Sequence, residues 1–244
     1  MPSSPINLFL EALFPTPRNC LLCQAPIAGF GLCEACHKLY EEKRQGNGQC
    51  LRCGSFGVRG SFGVRGQACD VCRHWPQYIH RVSALWPYEK EVRAAILAYK
   101  YQGKPWMATG FAQACLPFIP PEVDLLVPVP LHASRLRERG YNQSLLLAKA
   151  LQAAGGPPVS DALRRIKATP HQVGLSKRAR LHNLDGAIRV QRPEAVAGRH
   201  VCLIDDVITT GSTIEHCGRA LHRAGAAAVS ALVLAAGYGS LAGR

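Results

Sequence analysis

A chain of 244 residues with 48% apolar composition is long enough for one sizeable α/β core and a small appendage. Its formal charge of +13, from 29 Lys and Arg against 16 Asp and Glu, suits a pyrophosphate, nucleotide or nucleic acid partner, and equally suits a plain basic surface. No segment approaches the roughly 18 uninterrupted apolar residues of a membrane helix, and neither GxxxxGKS/T nor a strand-linked GxGxxG occurs, which sets aside membrane insertion, P-loop NTPases and dinucleotide enzymes.

The N-terminal INLFLEALF is too short to span a membrane and lacks the basic flank of a secretory signal, so it reads as a short amphipathic helix and the protein as cytoplasmic. Cys20, Cys23, Cys33, Cys36, Cys50, Cys53, Cys69 and Cys72 then form four CxxC pairs. Each pair can put two sulfurs on one tetrahedral metal, and in a reducing compartment zinc is favoured over disulfides. Nine residues separate Cys23 from Cys33; fifteen separate Cys53 from Cys69, but that gap holds SFGVRG twice, and one copy fewer leaves nine. The equal spacing favours two sequential zinc ribbons over a cross-braced pair. Four thiolates leave no open position, so both sites read as structural. His37 and His74 read as surface residues, and Cys115, Cys202 and Cys217 as core thiols.

Residues 88–103 carry Val92, Ala95, Ile96 and Tyr99 on one helical face and read as a helix joining the ribbons to the core. Lys100, near its end, either reaches a phosphate or simply answers the helix dipole. DLLVPVP, residues 124–130, reads as a short buried strand that releases a basic turn, LHASRLRERGYNQS. Arg135, Arg137 and Arg139 alternate as in an extended arm closing over an anion. Tyr141, Asn142 and Gln143 offer a stacking surface and amide edges for a base, with Asn142 also placed to cap the helix that follows. Residues 131–192 hold twelve Lys or Arg against Glu138, Asp161 and Asp185, a local excess of +9.

The last stretch, VCLIDDVITTGSTI at 201–214, carries the most chemistry. Residues 201–204 read as a buried parallel strand, and Ile214, Cys217, Leu221 and Ala224 recur at helical spacing until Gly225. Between them, Gly211 lets backbone N–H groups approach an anion, and Thr209, Thr210, Ser212 and Thr213 add hydroxyl donors at a helix N-terminus. Asp205 and Asp206, aimed sideways from the strand end, can accept hydrogen bonds from a ribose diol. A polar turn capping a helix needs one hydroxyl; this loop offers four. The ligand so described is a ribose 5-phosphate.

LIDDVITTGSTI resembles the phosphoribosyl pyrophosphate (PRPP) motif of type I phosphoribosyltransferases, while VPVPLHASRLRERGYNQS and HQVGLSKRARLHNLDGA resemble ComF-family proteins, linked to competence and DNA uptake. With the cysteine-rich start, the resemblance covers nearly the whole chain. It implies an α/β, Rossmann-like type I phosphoribosyltransferase fold with a parallel sheet at 80–244, and a small zinc-ribbon domain at 1–79. It also implies that Asp205 and Asp206 hold the ribose hydroxyls, and that the motif through Val207, Thr209, Thr210, Gly211, Ser212 and Thr213 binds PRPP with magnesium. The segment from Arg164 to Arg180 looks like the flexible loop that closes on PRPP in related transferases, which singles out Gln172, Lys177 and Arg178. Phosphoribosyl transfer to an acceptor the sequence does not name is the leading expectation. Single-stranded DNA binding, with the PRPP pocket as sensor or relic and DNA-uptake proteins as partners, is the other. Asn at both acids is expected to weaken PRPP binding with the fold intact.

Overall fold

The computed structural model describes residues 19–29, 31–46, 49–50, 52–57, 69, 78–167 and 186–237. The N-terminal INLFLEALF segment, His74 and the second copy of the hexapeptide, 61–66, lie outside them. In chain order the elements are α1 (Glu34–Gly46), β1 (Arg81–Pro87), α2 (Lys90–Tyr101), α3 (Met107–Cys115), β2 (Leu125–Pro128), α4 (Ala133–Arg139), α5 (Gln143–Ala153), β3 (Leu163–Arg165), β4 (Ile188–Val190), α6 (Pro193–Val196), β5 (His200–Ile208), α7 (Ser212–Arg223) and β6 (Ala228–Ala236).

Four strands form a parallel sheet in the order β1-β6-β5-β2. Alternation along β5 feeds two cores. Val201 and Leu203 pack with Ile214, Cys217 and Leu221 of α7 on one face. Cys202 and Ile204 pack with Val92, Ile96, Phe111, Leu147 and Leu151 of α2, α3 and α5 on the other. A parallel sheet buried on both faces needs continuous apolar runs, and β6, AVSALVLAA, is such a run. Antiparallel β3 and β4 pair Leu163 with Val190 and Arg165 with Ile188 on either side of 168–185.

Three sequence expectations need correction. β5 does not stop at Ile204: it pairs with β6 out to Ile208↔Ala236, so both acids sit within the strand. Its pairing with β2 ends at Pro128↔Ile204, closed by Val129 N–H donating to Ile204 O at 3.0 Å. Prolines cannot extend that ladder, and the acids therefore emerge where β5 outruns its neighbour. The helix at 88–103 is preceded by β1, which makes the junction between ribbons and core part of the sheet. The arginine arm is α4, a helix closed by Gly140 at φ 81°, rather than an extended segment.

The cysteine-rich segments share the core of the sheet domain. Cys50, Cys53, Phe56 and Cys69 join Val82 and Ala84 on the α7 face, while Cys20, Leu21, Leu22, Cys36 and Tyr40 join Trp86, Val92 and Phe111 on the opposite face. The second ribbon also covers the outer edge of β1, where Val82 N–H donates to Arg52 O at 3.1 Å and Gln49 Nε2 to Ala84 O at 2.6 Å. On the β2 side, Leu126 N–H donates to Pro158 O at 2.8 Å. Neither edge offers a bare row of backbone groups.

Gly110 of α3 is the closest approach of the first ribbon: a Cβ there would meet Gly31 N and Leu21 Cδ1, each at 3.0 Å. Gly110→Ala is expected to cost about 1–2 kcal/mol through overpacking against backbone, lowering the thermal midpoint by about 2–8 °C. An unchanged midpoint would mean that the ribbon yields freely at this contact.

Candidate functional site

Gly211, at φ 76°, takes the left-handed conformation that turns the chain from β5 into α7. Gly211 offers α7 no side-chain cap, Thr210 Oγ1 accepts from the Ser212 N–H at 3.5 Å, and the first backbone bond of the helix is Glu215 N–H to Gly211 O at 2.8 Å. The N–H groups of Ser212, Thr213 and Ile214 therefore precede the ladder. The hydroxyls of Thr210 and Ser212 lie 3.1 Å apart, Thr209 is exposed and Thr213 half-buried. Beneath them His216 Nδ1 lies 2.7 Å from Ser212 O. A cluster of N–H and O–H donors at the start of a 12-residue helix is suited to a phosphate.

The two acids have different surroundings. Asp205 Oδ1 accepts from Ser144 Oγ at 3.0 Å and from the Asp206 N–H at 2.9 Å. Asp205 keeps some surface, although protein packs around its carboxyl group. Asp206 is 4% exposed, and its Oδ1 lies 2.6 Å from Lys100 Nζ. Burial works against the Lys100 ammonium, but the Asp206 carboxylate outweighs it and holds Lys100 above the usual lysine range. Val207, half-buried, packs on the α2 and α5 side.

Burial, and then the neighbouring Asp206, push Asp205 up to about 7, against the pull of Lys100, the Asp206 N–H and Ser144. A carboxyl whose folded-state value is raised stabilises the folded chain while protonated, and that contribution is lost as pH rises through the folded-state value. The thermal midpoint of the ligand-free protein is therefore expected to fall between about pH 4 and about pH 7 and to level off above. Asp205→Asn should flatten this slope; an unaltered slope would assign the dependence to other groups.

A cavity of ≈ 230 Å³ opens beside the Lys100–Asp206 pair, lined by Lys100, Tyr101, Arg135, Glu138, Arg139 and Tyr141. Arg135 and Arg139 share a face of α4 because they are four residues apart; Arg137 is exposed and lies off this cavity. The Arg139 guanidinium stacks 4.7 Å from the Tyr101 ring centre and donates to Gln143 Oε1, while its Nε is buried without a partner among the described residues. Tyr141 donates to Tyr99 O and also borders a second cavity of ≈ 500 Å³, between the α4–α5 turn and β3. Asn142 lines that cavity too, but its side chain caps α5, accepting from Ser144 N–H at 3.0 Å and donating to Val129 O at 3.1 Å. Gln143 is buried. Gln172, Lys177 and Arg178 lie outside the described residues. The sequence reading did not single out Ser144; its position just inside α5, after a capping Asn, is the signal that could have found it.

The cysteines gather in sequential sets. Cys20, Cys23, Cys33 and Cys36 have their sulfurs within 4.8 Å of one another, as do Cys50, Cys53 and Cys69, with Cys72 outside the described residues. Sγ–Sγ distances of 3.6 Å for Cys23–Cys33 and 3.7 Å for Cys53–Cys69 match the spacing of about 3.8 Å in a tetrahedral zinc–thiolate site. Although burial opposes it, backbone hydrogen bonds at Cys23, Cys33 and Leu22 bring Cys20 down to about 7, towards the thiolate a metal needs. The donor sets fit zinc. His37 stands apart, 3.6 Å from Glu41. Cys115, Cys202 and Cys217 are buried core thiols.

A parallel sheet carrying paired acids and a hydroxyl-rich loop at its carboxyl edge defines a type I phosphoribosyltransferase fold, and the family model for the phosphoribosyl transferase domain matches residues 94–241. Over 228 residues the chain is 31% identical to DNA utilization protein YhgH of Salmonella typhi, covering 89% of this chain and 96% of that one. It is 29% identical to competence protein F of Haemophilus influenzae, covering 85% and 92%, and 27% identical to competence protein ComFC of Bacillus subtilis, covering 69% and 78%. The chain belongs to the phosphoribosyltransferase domain family, in its ComF branch. Among the described residues no helix is long and apolar enough to cross a membrane.

Proposed function

We propose that the protein binds PRPP with magnesium at the β5–α7 loop and transfers its phosphoribosyl group to a nitrogen acceptor, in the cytoplasm. The observation that carries this reading is the glycine-led start of α7, its first N–H groups ahead of the helical ladder and set among four hydroxyl residues shortly after the two acids. Asp205 and Asp206 would hold the ribose hydroxyls, and Thr209, Thr210, Gly211, Ser212 and Thr213 the 5-phosphate. Lys100, Arg135 and Arg139 would face the pyrophosphate, with Lys177 and Arg178 closing from the 168–185 segment. Tyr141, Asn142, Gln143 and Gln172 are assigned to the acceptor side, where Asn142 acts through the turn it caps. The acceptor lone pair forms the bond to the anomeric carbon as the bond to pyrophosphate oxygen breaks, and the acceptor nitrogen then loses its proton. Magnesium bound with PRPP would supply positive charge for the departing pyrophosphate, and Asp205 and Asp206 are the carboxylates that could help to hold it.

Single-stranded DNA and DNA-uptake proteins are proposed partners, supported by the names of the relatives and by the basic 131–192 region. Calorimetric titration of the zinc-loaded protein with PRPP and magnesium, with and without a short single strand, tests both. PRPP binding supports the transferase reading and justifies an acceptor screen. DNA binding without PRPP binding would leave a nucleic-acid module on a transferase fold.

A further inference from the structure

Asp206 cannot take a ribose hydroxyl in the conformation described. Its Oδ1 is held by Lys100 at 2.6 Å, and its Oδ2 is buried, with no hydrogen-bond partner among the described residues. An uncompensated buried carboxylate oxygen is costly, and its retention points to a partner that arrives with a ligand. Asp205, by contrast, keeps some surface and has only its Oδ1 engaged by the groups named above. One acid of the pair is presented and the other is withheld.

The group that withholds it has somewhere else to go. Lys100 is the penultimate residue of α2 and lines the ≈ 230 Å³ cavity together with Arg135 and Arg139. An anion in that cavity would meet three cationic side chains against one carboxylate, Glu138, and a lysine stem is flexible enough to bring its ammonium from a carboxylate to a phosphate oxygen nearby. Arg139 Nε, buried and unpartnered among the described residues, marks the same cavity as prepared for an acceptor of hydrogen bonds.

We infer that Lys100 is a specificity latch: pyrophosphate in the α2–α4 cavity draws Lys100 off Asp206, and only then does Asp206 close on the ribose. The inference rests on the PRPP reading of the site. Its consequence is that the two halves of PRPP help each other bind. Ribose 5-phosphate alone has to compete with Lys100 for Asp206, and the pyrophosphate group removes that competition. The site thereby rejects ribose 5-phosphate and nucleoside monophosphates by more than the pyrophosphate contacts they lack.

The test is a set of titrations on the full-length zinc-loaded protein. In the wild type, saturating magnesium pyrophosphate is expected to raise the affinity for ribose 5-phosphate about tenfold or more, and by linkage the reverse titration should show the same factor. Lys100→Met should bind ribose 5-phosphate more tightly than the wild type does, bind PRPP more weakly, and show no coupling between pyrophosphate and ribose 5-phosphate. Independent or mutually exclusive binding of the two fragments in the wild type would overturn the latch, and this arm needs no variant to fold. So would a Lys100→Met protein, shown folded by its melting curve, whose ribose 5-phosphate affinity is unchanged or reduced. PRPP binding without fragment coupling removes the latch alone; no PRPP binding removes the underlying reading with it.

Discussion

Asp205→Asn is expected to weaken PRPP binding by about 2–3 kcal/mol, roughly 30- to 150-fold, while leaving the fold intact. The carboxylate accepts from Ser144 and the Asp206 N–H through a single oxygen, and an amide oxygen can keep both bonds. Asp206→Asn is different. Its carboxylate compensates the largely buried Lys100 ammonium, so the amide leaves that charge without its partner. Breaking such a pair costs about 3 kcal/mol or more, or about 6–12 °C in thermal midpoint. The expectation that both acids can be changed without harm to the fold therefore holds for Asp205 only. Calorimetry with PRPP and a thermal melt of each single variant separate the two effects. Unchanged PRPP affinity in Asp205→Asn would remove the ribose assignment. Stability loss in Asp206→Asn should be relieved when Lys100→Met is added, because the two effects share one pair.

Removing zinc is expected to unfold more than the ribbons. Each cysteine cluster contributes side chains to a different face of the central sheet, and the second ribbon covers the β1 edge. Metal binding of this kind supplies folding energy outright. Chelation should lower the midpoint of the whole chain by more than about 10 °C, as a single transition, and abolish PRPP binding. A transferase transition that survives chelation unaltered would show that the shared cores are not coupled. Cys50→Ser should release about one zinc per chain, measured by elemental analysis, and retention of both metals would refute its place in the ligand set.

The β5–α7 loop was legible because it rests on local order. A strand, two acids, a glycine and four hydroxyls occupy consecutive positions, so the β5–α7 loop can be read without knowing what packs around it. The CxxC pairs are local in the same way, and their equal spacing anticipated the sequential clusters. What was missed or misread depends on neighbours. RVSALWP and AVSALVLAA are apolar runs with no helical or alternating period of their own, and β1 and β6 exist because each pairs with another strand. The alternating arginines of α4 suggested an extended arm, but Gly140 and the short turn into α5 close a helix, which moves Arg137 away from Arg135 and Arg139.

The amino-acid order alone was enough for the parallel α/β core and for the sequential grouping of the cysteines, since each follows from residue types at short spacing. The division of labour between Asp205 and Asp206 was decided only in three dimensions. Which partner waits beside each acid, Ser144 of α5 for Asp205 and Lys100 of α2 for Asp206, depends on helices 61 and 106 residues away in the chain.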